Sequence, residues 1–514
     1  MRKFFILLGM LAVCGILDPR SFGGTETTRS SSETRSGSGA RSAGKVPTFT
    51  LGQAIITALQ QNPTLLNAEQ EIKRTKGVII QVRAQALPQI GATGEFQWTD
   101  PQLGTSGGGI VGGASAGQNL RSNLFYDIRV IGTQLIFNGT TPNQIRGTFF
   151  QRDSAYFAFR NTLDQLIATV KTQFYQIVVN RELVTVNEEN AHLLEAQWKD
   201  QQNRFEAGTV PRFNVLQAEV QYYNQLTPVI TAQNNLRISK LQLAKTLGLY
   251  FQPMRGEEPP LEVVGEMPYD VRTIKLADAI EMGKERRPFL KQARANVLNQ
   301  LQQVRAAAGQ WLPNITTSGG GEWISSPVNS SWHDISKGWI ATVQGSLPIW
   351  DSGSIAGQVI QQRALFSETK ITYDDDVRQV ELEIQQAYSN LQQNEELVTS
   401  QEKNVELADE ALRLAKARLD AGAGVQLDVL NATVQLLTAQ STRLQALFGY
   451  NSSLAEFDRA TGAQSTYTEM FADLAPRATK TKTYYTGSGV DAMGKPKEVS
   501  EERVSTTRRR TSSK

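Results

Sequence analysis

Apolar residues recur with two different periods along this chain, and each period appears in both halves. Near residue 90, the apolar residues Ile90, Phe96 and Trp98 alternate with polar ones, as in a strand with one apolar face. Farther along, apolar residues recur every seven positions through a long segment without proline, which predicts a long packed helix. The whole order returns 214 to 225 residues later. This repetition predicts one structural unit used twice.

The seven-residue period is strongest in two predicted long helices. The first stripe is Leu163, Val170, Ile177, Val184, Ala191, Trp198 and Phe205, and the second is Val377, Ile384, Leu391, Val398, Val405, Leu412 and Leu419. All of these residues are apolar, so each stripe is expected to pack on another helix with coiled-coil spacing. A second seam mixes Val380 and Ala387 with Asn394 and Gln401. A helix with one packed edge and one wet side suits the wall of a hollow tube.

Each half is predicted to contain two strands followed by an antiparallel pair of long helices. The first repeat, 47–248, has strands at about 88–99 and 123–137 and long helices at about 140–207 and 213–247. The second repeat, 274–462, has strands at about 313–325 and 338–350 and long helices at about 354–421 and 427–461. Residues 249–273 connect the repeats, and residues 463–514 follow the second repeat and end in a disordered basic tail.

The predicted strands have the length that crosses a bilayer when tilted, about ten residues. Trp98, Trp323 and Trp339 lie near predicted strand ends, where interfacial aromatic residues belong. A half-buried sheet in a soluble protein would show the same alternation, so the pattern alone leaves both readings open. Four strands cannot close into a barrel, and an open edge is not tolerated in lipid. Three copies would supply 12 strands, with helices continuing from them as a tube.

The N-terminal segment is predicted to be a secretory signal peptide, residues 1–22, because a basic start precedes an apolar run. Cys14 lies where a lipoprotein signal would place its cysteine, although Val13 departs from the small residue expected before it. Cys14 is therefore a candidate for lipidation, or else a residue of a removed signal. Residues 23–46 are rich in Ser and Gly and are predicted to form a disordered linker.

Composition and motifs give no support for catalysis or for a cofactor. The net charge of +3 gives no argument for a nucleic-acid partner, and a single cysteine excludes a disulfide framework. His192 and His333 are far apart in the chain and lack ligand-spaced partners, so no metal site is predicted. The acidic run Asp374 to Asp376 is expected to face water. We therefore expect a protein that is not an enzyme.

The turn between the predicted long helices carries the most specific motif. Arg204-Phe205-Glu206-Ala207-Gly208, followed by Val215-Leu216, returns as Arg418-Leu419-Asp420-Ala421-Gly422, followed by Val429-Leu430. Each hairpin of strands ends in a similar phrase containing Asn138-Gly139 or Asp351-Ser352-Gly353. With this order of elements in both repeats, the chain resembles the TolC family of outer-membrane efflux and secretion channels from about Leu51 to Gly462.

The resemblance implies a fold class and a function. The fold is mainly α with a membrane β portion: a homotrimer with a 12-stranded β-barrel in the outer membrane of a Gram-negative bacterium, continued by an α-helical barrel in the periplasm. The function is that of a passive export duct of a tripartite efflux pump or a type I secretion system. A periplasmic adaptor, or membrane fusion protein, would open the duct, and an inner-membrane pump would energise it. The segments 249–273 and 463–514 would form an equatorial region.

The family's docking tips lie at the turns between the long helices. By resemblance the tip residues are Arg204, Phe205, Gly208, Val215, Leu216, Arg418, Leu419, Gly422, Val429 and Leu430. A turn that is merely well capped would also explain these residues, and Gly208 and Gly422 are the expected helix C-caps in either case.

A gate at the periplasmic end is also implied by the resemblance. Some relatives close that end with two aspartates three residues apart; here Asp428 matches, Asn431 departs, and Asn214 is the first-repeat equivalent of Asp428. Asp428 and Asn214 are equally candidates for helix N-caps. Gly424 stands where the basic partner of a locking charge pair would be expected.

Other classes of protein explain the sequence less completely. A structural coiled-coil envelope protein without transport activity accounts for the heptads and the duplication, but it leaves the signal peptide and the strand lengths as coincidences. A diffusion porin would lack the long helices. Location in the outer membrane separates a duct from a scaffold, and dependence on an inner-membrane pump separates a duct from a porin.

Overall fold

The computed structural model describes residues 48–98, 124–249, 261–325 and 335–463. The predicted signal peptide with Cys14, the linker, His333 and the basic tail lie outside the described residues. The elements in chain order are β1 (Thr48–Phe49), α1 (Leu51–Gln61), α2 (Pro63–Ala84), β2 (Gln89–Trp98), β3 (Leu124–Phe137), α3 (Thr141–Glu206), α4 (Arg212–Thr246), β4 (Glu262–Val263), α5 (Leu276–Arg286), α6 (Pro288–Ala308), β5 (Asn314–Ser325), β6 (Ile335–Ser346), α7 (Ser354–Asp420) and α8 (Gln426–Thr461). A short 3₁₀ turn, Gly309–Trp311, follows α6.

The helices lie side by side in one layer, in four positions: two are occupied by one long helix each and two by a pair of shorter helices. The long helices α3 and α7, with 66 and 67 residues, each extend about 100 Å at 1.5 Å per residue. Helix α3 packs against α2 and α4 and also against α6 and α8, while α7 packs against α6 and α8. The order across the layer is therefore α2 with α4, then α3, then α6 with α8, then α7. No helix of the described residues has a stretch long and apolar enough to cross a bilayer.

The shorter helices meet end to end beside the long ones. Asn62 Oδ1 accepts a hydrogen bond of 2.8 Å from the Thr64 N–H at the start of α2, and Asn62 Nδ2 donates one of 2.7 Å to the Thr246 carbonyl at the end of α4. Asn62 thus caps one helix while binding the last turn of another. In the second repeat the equivalent position, 225 residues later, is the buried Arg287.

The predicted heptad stripes form most of the helical packing. Leu163, Val170 and Ile177 are buried in a core beneath α1 and α4, and Ile384 and Val398 are buried in a second core beneath α5 and α8. The exception is at the turn, where Phe205 is 43% exposed. The stripe is buried only where a neighbouring helix covers it, and Phe205 lies at the end of its helix.

The mixed second seam has an apolar, buried part and a polar part. Val380 and Ala387 are buried, whereas Asn394 is half-buried and donates a hydrogen bond of 2.7 Å from Nδ2 to Ser453 Oγ. The amide therefore satisfies its polarity against the return helix α8 instead of breaking the seam.

The four longer strands form one antiparallel sheet in the order β2-β3-β5-β6. The first hairpin pairs Gln89–Trp98 with β3, β3 pairs with β5 from the other repeat, and β5 pairs with β6. One face carries Phe96, Trp339 and Val343, which are 61%, 84% and 75% exposed. Strands β2 and β6 are the two edges of this sheet.

The last strand begins and ends earlier than the pattern predicts. The expected strand was 338–350, whereas β6 spans Ile335–Ser346. Pro348 has no N–H to donate to a ladder, so the apolar residues Leu347, Ile349 and Trp350 lie beyond the strand and are exposed.

Candidate functional site

The turns at the ends of the two helical hairpins have the same geometry. Gly208 and Gly422 have φ values of +75° and +73°. The Gly208 N–H donates to the Phe205 carbonyl at 2.9 Å, and the Gly422 N–H donates to the Leu419 carbonyl at 3.0 Å. The next N–H in each turn bonds to the carbonyl of Arg204 or Arg418, at 2.9 Å in both cases. This pair of bonds is the Schellman motif, so both glycines are the C-caps that the sequence predicts.

The predicted N-caps at Asn214 and Asp428 are wrong. Helix α4 begins at Arg212 after Pro211, and α8 begins at Gln426 after Val425, so both predicted residues lie at the third helical position. Pro211 and Val425 have extended backbones and accept hydrogen bonds of 3.0 Å from the Asn214 and Asp428 N–H groups. Neither helix start has a side-chain cap hydrogen bond. Asp428 instead places its charge in the first turn of α8, where the helix dipole favours it.

The first hairpin presents most of its predicted docking residues to solvent. Phe205 and Leu216 are 43% and 49% exposed, Val215 is half-buried, and Arg204 is exposed with its Nε 2.8 Å from the Asp200 carboxylate. Phe213, which the motif did not single out, is 70% exposed beside them. This tip therefore has an apolar surface bordered by charge.

The second hairpin places the equivalent residues differently. Arg418 is exposed and Leu419 is half-buried, but Val429 and Leu430 are 3% and 6% exposed. Val429 packs with Leu412 in a small apolar cluster near the turn. The structure therefore assigns Val429 and Leu430 to packing, although their motif matches that of Val215 and Leu216.

A groove between the two hairpins brings several of the predicted residues together. It is lined by Leu194, Gln197, Asn214, Gln217, Ala218, Gln426, Leu427 and Leu430. The first turn of α4 thus lies beside the first turn of α8. The gate candidates Asp428 and Asn431 are exposed, and Asn214 is half-buried in this groove. Within the described part of the chain, no cation lies at ion-pair distance from Asp428.

An aromatic cluster in the first hairpin was missed by sequence reasoning. The rings of Trp198 and Tyr222 stack at a centroid distance of 5.8 Å, and Tyr223 lies at 6.3 Å from Trp198. The equivalent residues of the second repeat are all leucine. The signal was a tryptophan on the heptad stripe together with two tyrosines on the return helix.

A charged cluster on the sheet was also missed. Arg129 Nη2 lies 2.6 Å from Asp127 Oδ2 and 2.8 Å from Glu322 Oε1. Arg129 and Glu322 are directly paired across β3 and β5, and Glu95 is paired with Asp127 across β2 and β3. The sequence feature that could have revealed this cluster is the presence of charged residues among the alternating polar positions of three predicted strands.

The described residues hold no group of three or more His, Cys, Asp or Glu side chains that could bind a metal. His192 is 82% exposed and lies 3.8 Å from Glu195. In the acidic run, Asp374 and Asp375 are exposed, and burial together with the neighbouring Asp375 raises the pKa of Asp376.

The turn phrase Asp351-Ser352-Gly353 caps the start of α7. The Ile355 and Gly353 N–H groups donate to the Asp351 carboxylate at 2.6 and 3.0 Å. These backbone hydrogen bonds, that of Ile355 first, lower the pKa of Asp351. In the first repeat, Asn138 Oδ1 accepts equivalent bonds from the Thr140 and Thr141 N–H groups at 2.6 and 3.2 Å.

Comparison with known proteins accounts for this arrangement. A family model described as outer membrane efflux protein matches residues 54–249 and 279–463, one segment in each repeat. The outer membrane protein TolC of Escherichia coli (strain K12) is 22% identical over 414 residues, which is 78% of this chain and 79% of that protein. Nodulation protein T of Rhizobium leguminosarum bv. trifolii is 24% identical over 311 residues, 60% of this chain and 64% of the length of that relative.

Solved structures show the same fold. The CmeC outer membrane channel of Campylobacter jejuni superposes with a TM-score of 0.66 at 16% identity, over 82% of this chain and 88% of that one. The outer membrane protein VceC of Vibrio cholerae has a TM-score of 0.65 at 18% identity, over 80% of this chain and 96% of that one. With both repeats matched by the family model, this chain belongs to the outer membrane efflux protein family, and its fold is that of the TolC-like channels.

Proposed function

We propose that three copies of this chain form a passive export duct across the outer membrane and the periplasm. The four-stranded sheets would close into a 12-stranded β-barrel in the membrane, and the helical layers would close into a tube in the periplasm. Membership of the outer membrane efflux protein family supports the export role.

The observation that carries the proposal is the pair of open edges in each layer. The sheet ends at β2 and β6, and the helical layer ends at the α2–α4 pair and at α7. An exposed apolar sheet face next to unpaired strand edges is a liability for an isolated protein. Three copies joined edge to edge would pair β6 of each chain with β2 of the next and turn the exposed face toward lipid.

The helical hairpin tips would bind a periplasmic adaptor, and that adaptor would connect the duct to an inner-membrane pump. The exposed tip residues Arg204, Phe205, Leu216 and Arg418 provide apolar surface bordered by positive charge. Gly208 and Gly422 would hold the turns in shape. An adaptor bound between the tips would contact the groove that Asn214 and Leu430 line.

The mouth of the duct would be lined by Asp428 and Asn431, which are exposed on the first turns of α8. Three copies of Asp428 would form an acidic ring. Because repulsion among carboxylates opposes close approach, such a ring requires other contacts to hold a closed mouth together.

The test is the location and mass of the full-length protein. We expect the protein in the outer-membrane fraction and a detergent-extracted mass of roughly 170 kDa, three times the 56.7 kDa chain before signal removal. Native mass spectrometry distinguishes this species from a monomer. A monomer, or a protein absent from that membrane, would overturn the duct and favour the structural coiled-coil protein without transport activity.

A further inference from the structure

We propose that Glu95, Asp127, Arg129 and Glu322 form an acidic selectivity ring inside the β-barrel, so that the open channel prefers small hydrated cations. The inference rests on the proposed trimeric duct, since a single chain supplies only one third of the ring. It concerns the sheet, at the opposite end of the long helices from Asp428.

The ring follows from the register of the sheet. In one row across the strands, Glu95 pairs with Asp127, which pairs with Ile324. In the next row on the same face, Arg129 pairs with Glu322. These four side chains are the only charged ones on that face among the described strand residues, and they occupy two neighbouring rows. The rest of this face carries Gly, Thr, Ser, Asn, Gln and apolar residues.

The opposite face of the sheet is the one suited to lipid. It carries Phe96, Ile128, Trp323, Trp339 and Val343, all exposed in the isolated chain. Lys337, paired with Trp323, is the one charged residue on it among the described strand residues. Because strand residues alternate between the faces, the face with the carboxylates turns inward when the apolar face turns to lipid.

The cluster has more negative than positive charge. One guanidinium, that of Arg129, serves two carboxylates, and Glu95 adds a third, so that each chain contributes a net charge of −2. Asp127 is only 5% exposed, yet its Oδ1 has no hydrogen-bond partner among the described residues. A buried carboxylate oxygen without a partner is costly and is compensated when a cation or its bound water approaches.

Threefold repetition turns this surplus into a ring with a charge of about −6 around the aqueous interior of the barrel. The low-dielectric wall of a barrel concentrates the field of such a ring, which raises the local concentration of cations and lowers that of anions. Arg129 has the opposite effect, because it cancels part of the surplus. The sign of each residue's contribution is therefore fixed by its own charge.

The experiment is a reversal-potential measurement on purified full-length protein in planar bilayers. A KCl gradient at about 0.1 M or below keeps screening weak, since the Debye length is then about 10 Å or more. We expect D127N, E322Q and E95Q each to lower the potassium-to-chloride permeability ratio, by about twofold or more. R129Q should raise the ratio, although it breaks the same ion pairs as D127N and E322Q.

K337Q is the matched control, because it removes a charge of the same sign as Arg129 from the other face of the same sheet. We expect it to leave the ratio unchanged. E95Q keeps the test valid if D127N fails to assemble, since Glu95 is exposed and lies outside the ion pairs of Arg129.

Four results would count against the ring. Neutral variants that leave the ratio unchanged, or R129Q changing it in the same direction as D127N, would overturn the inference while leaving the duct intact. An effect of K337Q as large as that of R129Q would overturn the assignment of the faces. Wild-type protein that forms no conducting channel would overturn the proposed function and the ring with it.

Discussion

Gly208 and Gly422 end the two long helices in the same left-handed conformation, with φ values of +75° and +73°. A Cβ atom built on either glycine would meet nothing within 4 Å, so each is required by its backbone conformation and not by space. The glycines therefore explain why the turn motif occurs in both repeats independently of any docking role.

Substituting either turn glycine should cost stability through the backbone alone. We expect G208A and G422A each to destabilise its hairpin by about 1–2 kcal/mol, the cost of a left-handed L-residue, and G208N to cost less because Asn tolerates this region. Hydrogen exchange near the turn measures the effect. G77A is the control: Gly77 lies within α2 in open space, so alanine there should stabilise by about 0.5–1 kcal/mol. A G77A variant destabilised as much as G208A would contradict this account.

The carboxylate of Glu383 on α7 connects the end of α5 with the end of α8. The buried Arg287 donates from Nη2 to Glu383 Oε2 on α7, and Arg459 Nη2 lies 3.6 Å from the same carboxylate oxygen. Burial raises the pKa of Glu383, but the hydrogen bond and the charge of Arg287 outweigh it, and the pKa is lowered overall. The ionised form of Glu383 is therefore the one that stabilises the fold.

Acid should weaken this contact in a defined range. Because the folded pKa of Glu383 is depressed, its contribution is complete above the unfolded value, about 4.3, and is lost as the pH falls through the lower folded pKa. We expect the apparent melting temperature of the wild-type trimer to fall over that range. E383Q should lower the free energy of unfolding already at pH 7, by about 1–3 kcal/mol, since Arg287 loses its charged partner. It should also lessen the acid-dependent part of the fall in melting temperature.

The control for the acid prediction is an exposed pair on the same helix. Arg413 Nε bonds to Glu410 at 2.7 Å, and both side chains are mostly exposed. We expect E410Q to leave the stability nearly unchanged, because an ion pair exposed to solvent contributes little. A loss as large as that of E383Q would show that the effect is one of helix charge and not of the buried contact.

The helices and strands could be predicted from the sequence because they depend on periodicity, and the fold class followed from the family resemblance that their repeated order carries. The heptad residues Leu163, Ile384 and Val398 are buried, as a seven-residue repeat requires, and the predicted class, mainly helical with a small sheet in a TolC-like fold, is confirmed. The C-caps Gly208 and Gly422 followed from equally local chemistry.

What the sequence did not predict depends on contacts between distant segments. Leu216 and Leu430 occupy the same motif position, yet one is half exposed and the other is buried, because Leu430 faces the groove beside the first hairpin. Arg129 and Glu322 meet through the pairing of β3 with β5, and their separation of 193 residues hides that register from any local pattern. The helices start at Arg212 and Gln426, within one residue of the predicted bounds, but Asn214 and Asp428 lie inside them and are not the N-caps that local pattern suggested.

The proposed adaptor contact predicts different outcomes for exposed and buried tip residues. We expect F205A or L216A to weaken adaptor binding by about fivefold or more, as for an interface residue, with the trimer unchanged. L430A should instead destabilise the hairpin, by about 2–5 kcal/mol. Site-specific crosslinking to the adaptor and melting of the trimer separate these effects. L407A, an exposed apolar residue elsewhere on α7, is the control and should leave crosslinking unchanged. Normal crosslinking of F205A and L216A would contradict docking at this tip.

The middle of the sheet depends on a glycine for close packing of its strands. A Cβ atom on Gly320 would lie 2.0 Å from the Val130 carbonyl oxygen, and backbone cannot yield there as a flexible side chain would. We therefore expect G320A to force β3 and β5 apart and to reduce the yield of assembled trimer in the outer membrane. G91A lies in the same row of the sheet, on β2, and its Cβ atom would meet nothing within 4 Å. It should assemble normally, because within one chain the added methyl group meets the backbone of β3 only at residue 320. Equal yields would show that β3 and β5 can separate without loss of the sheet.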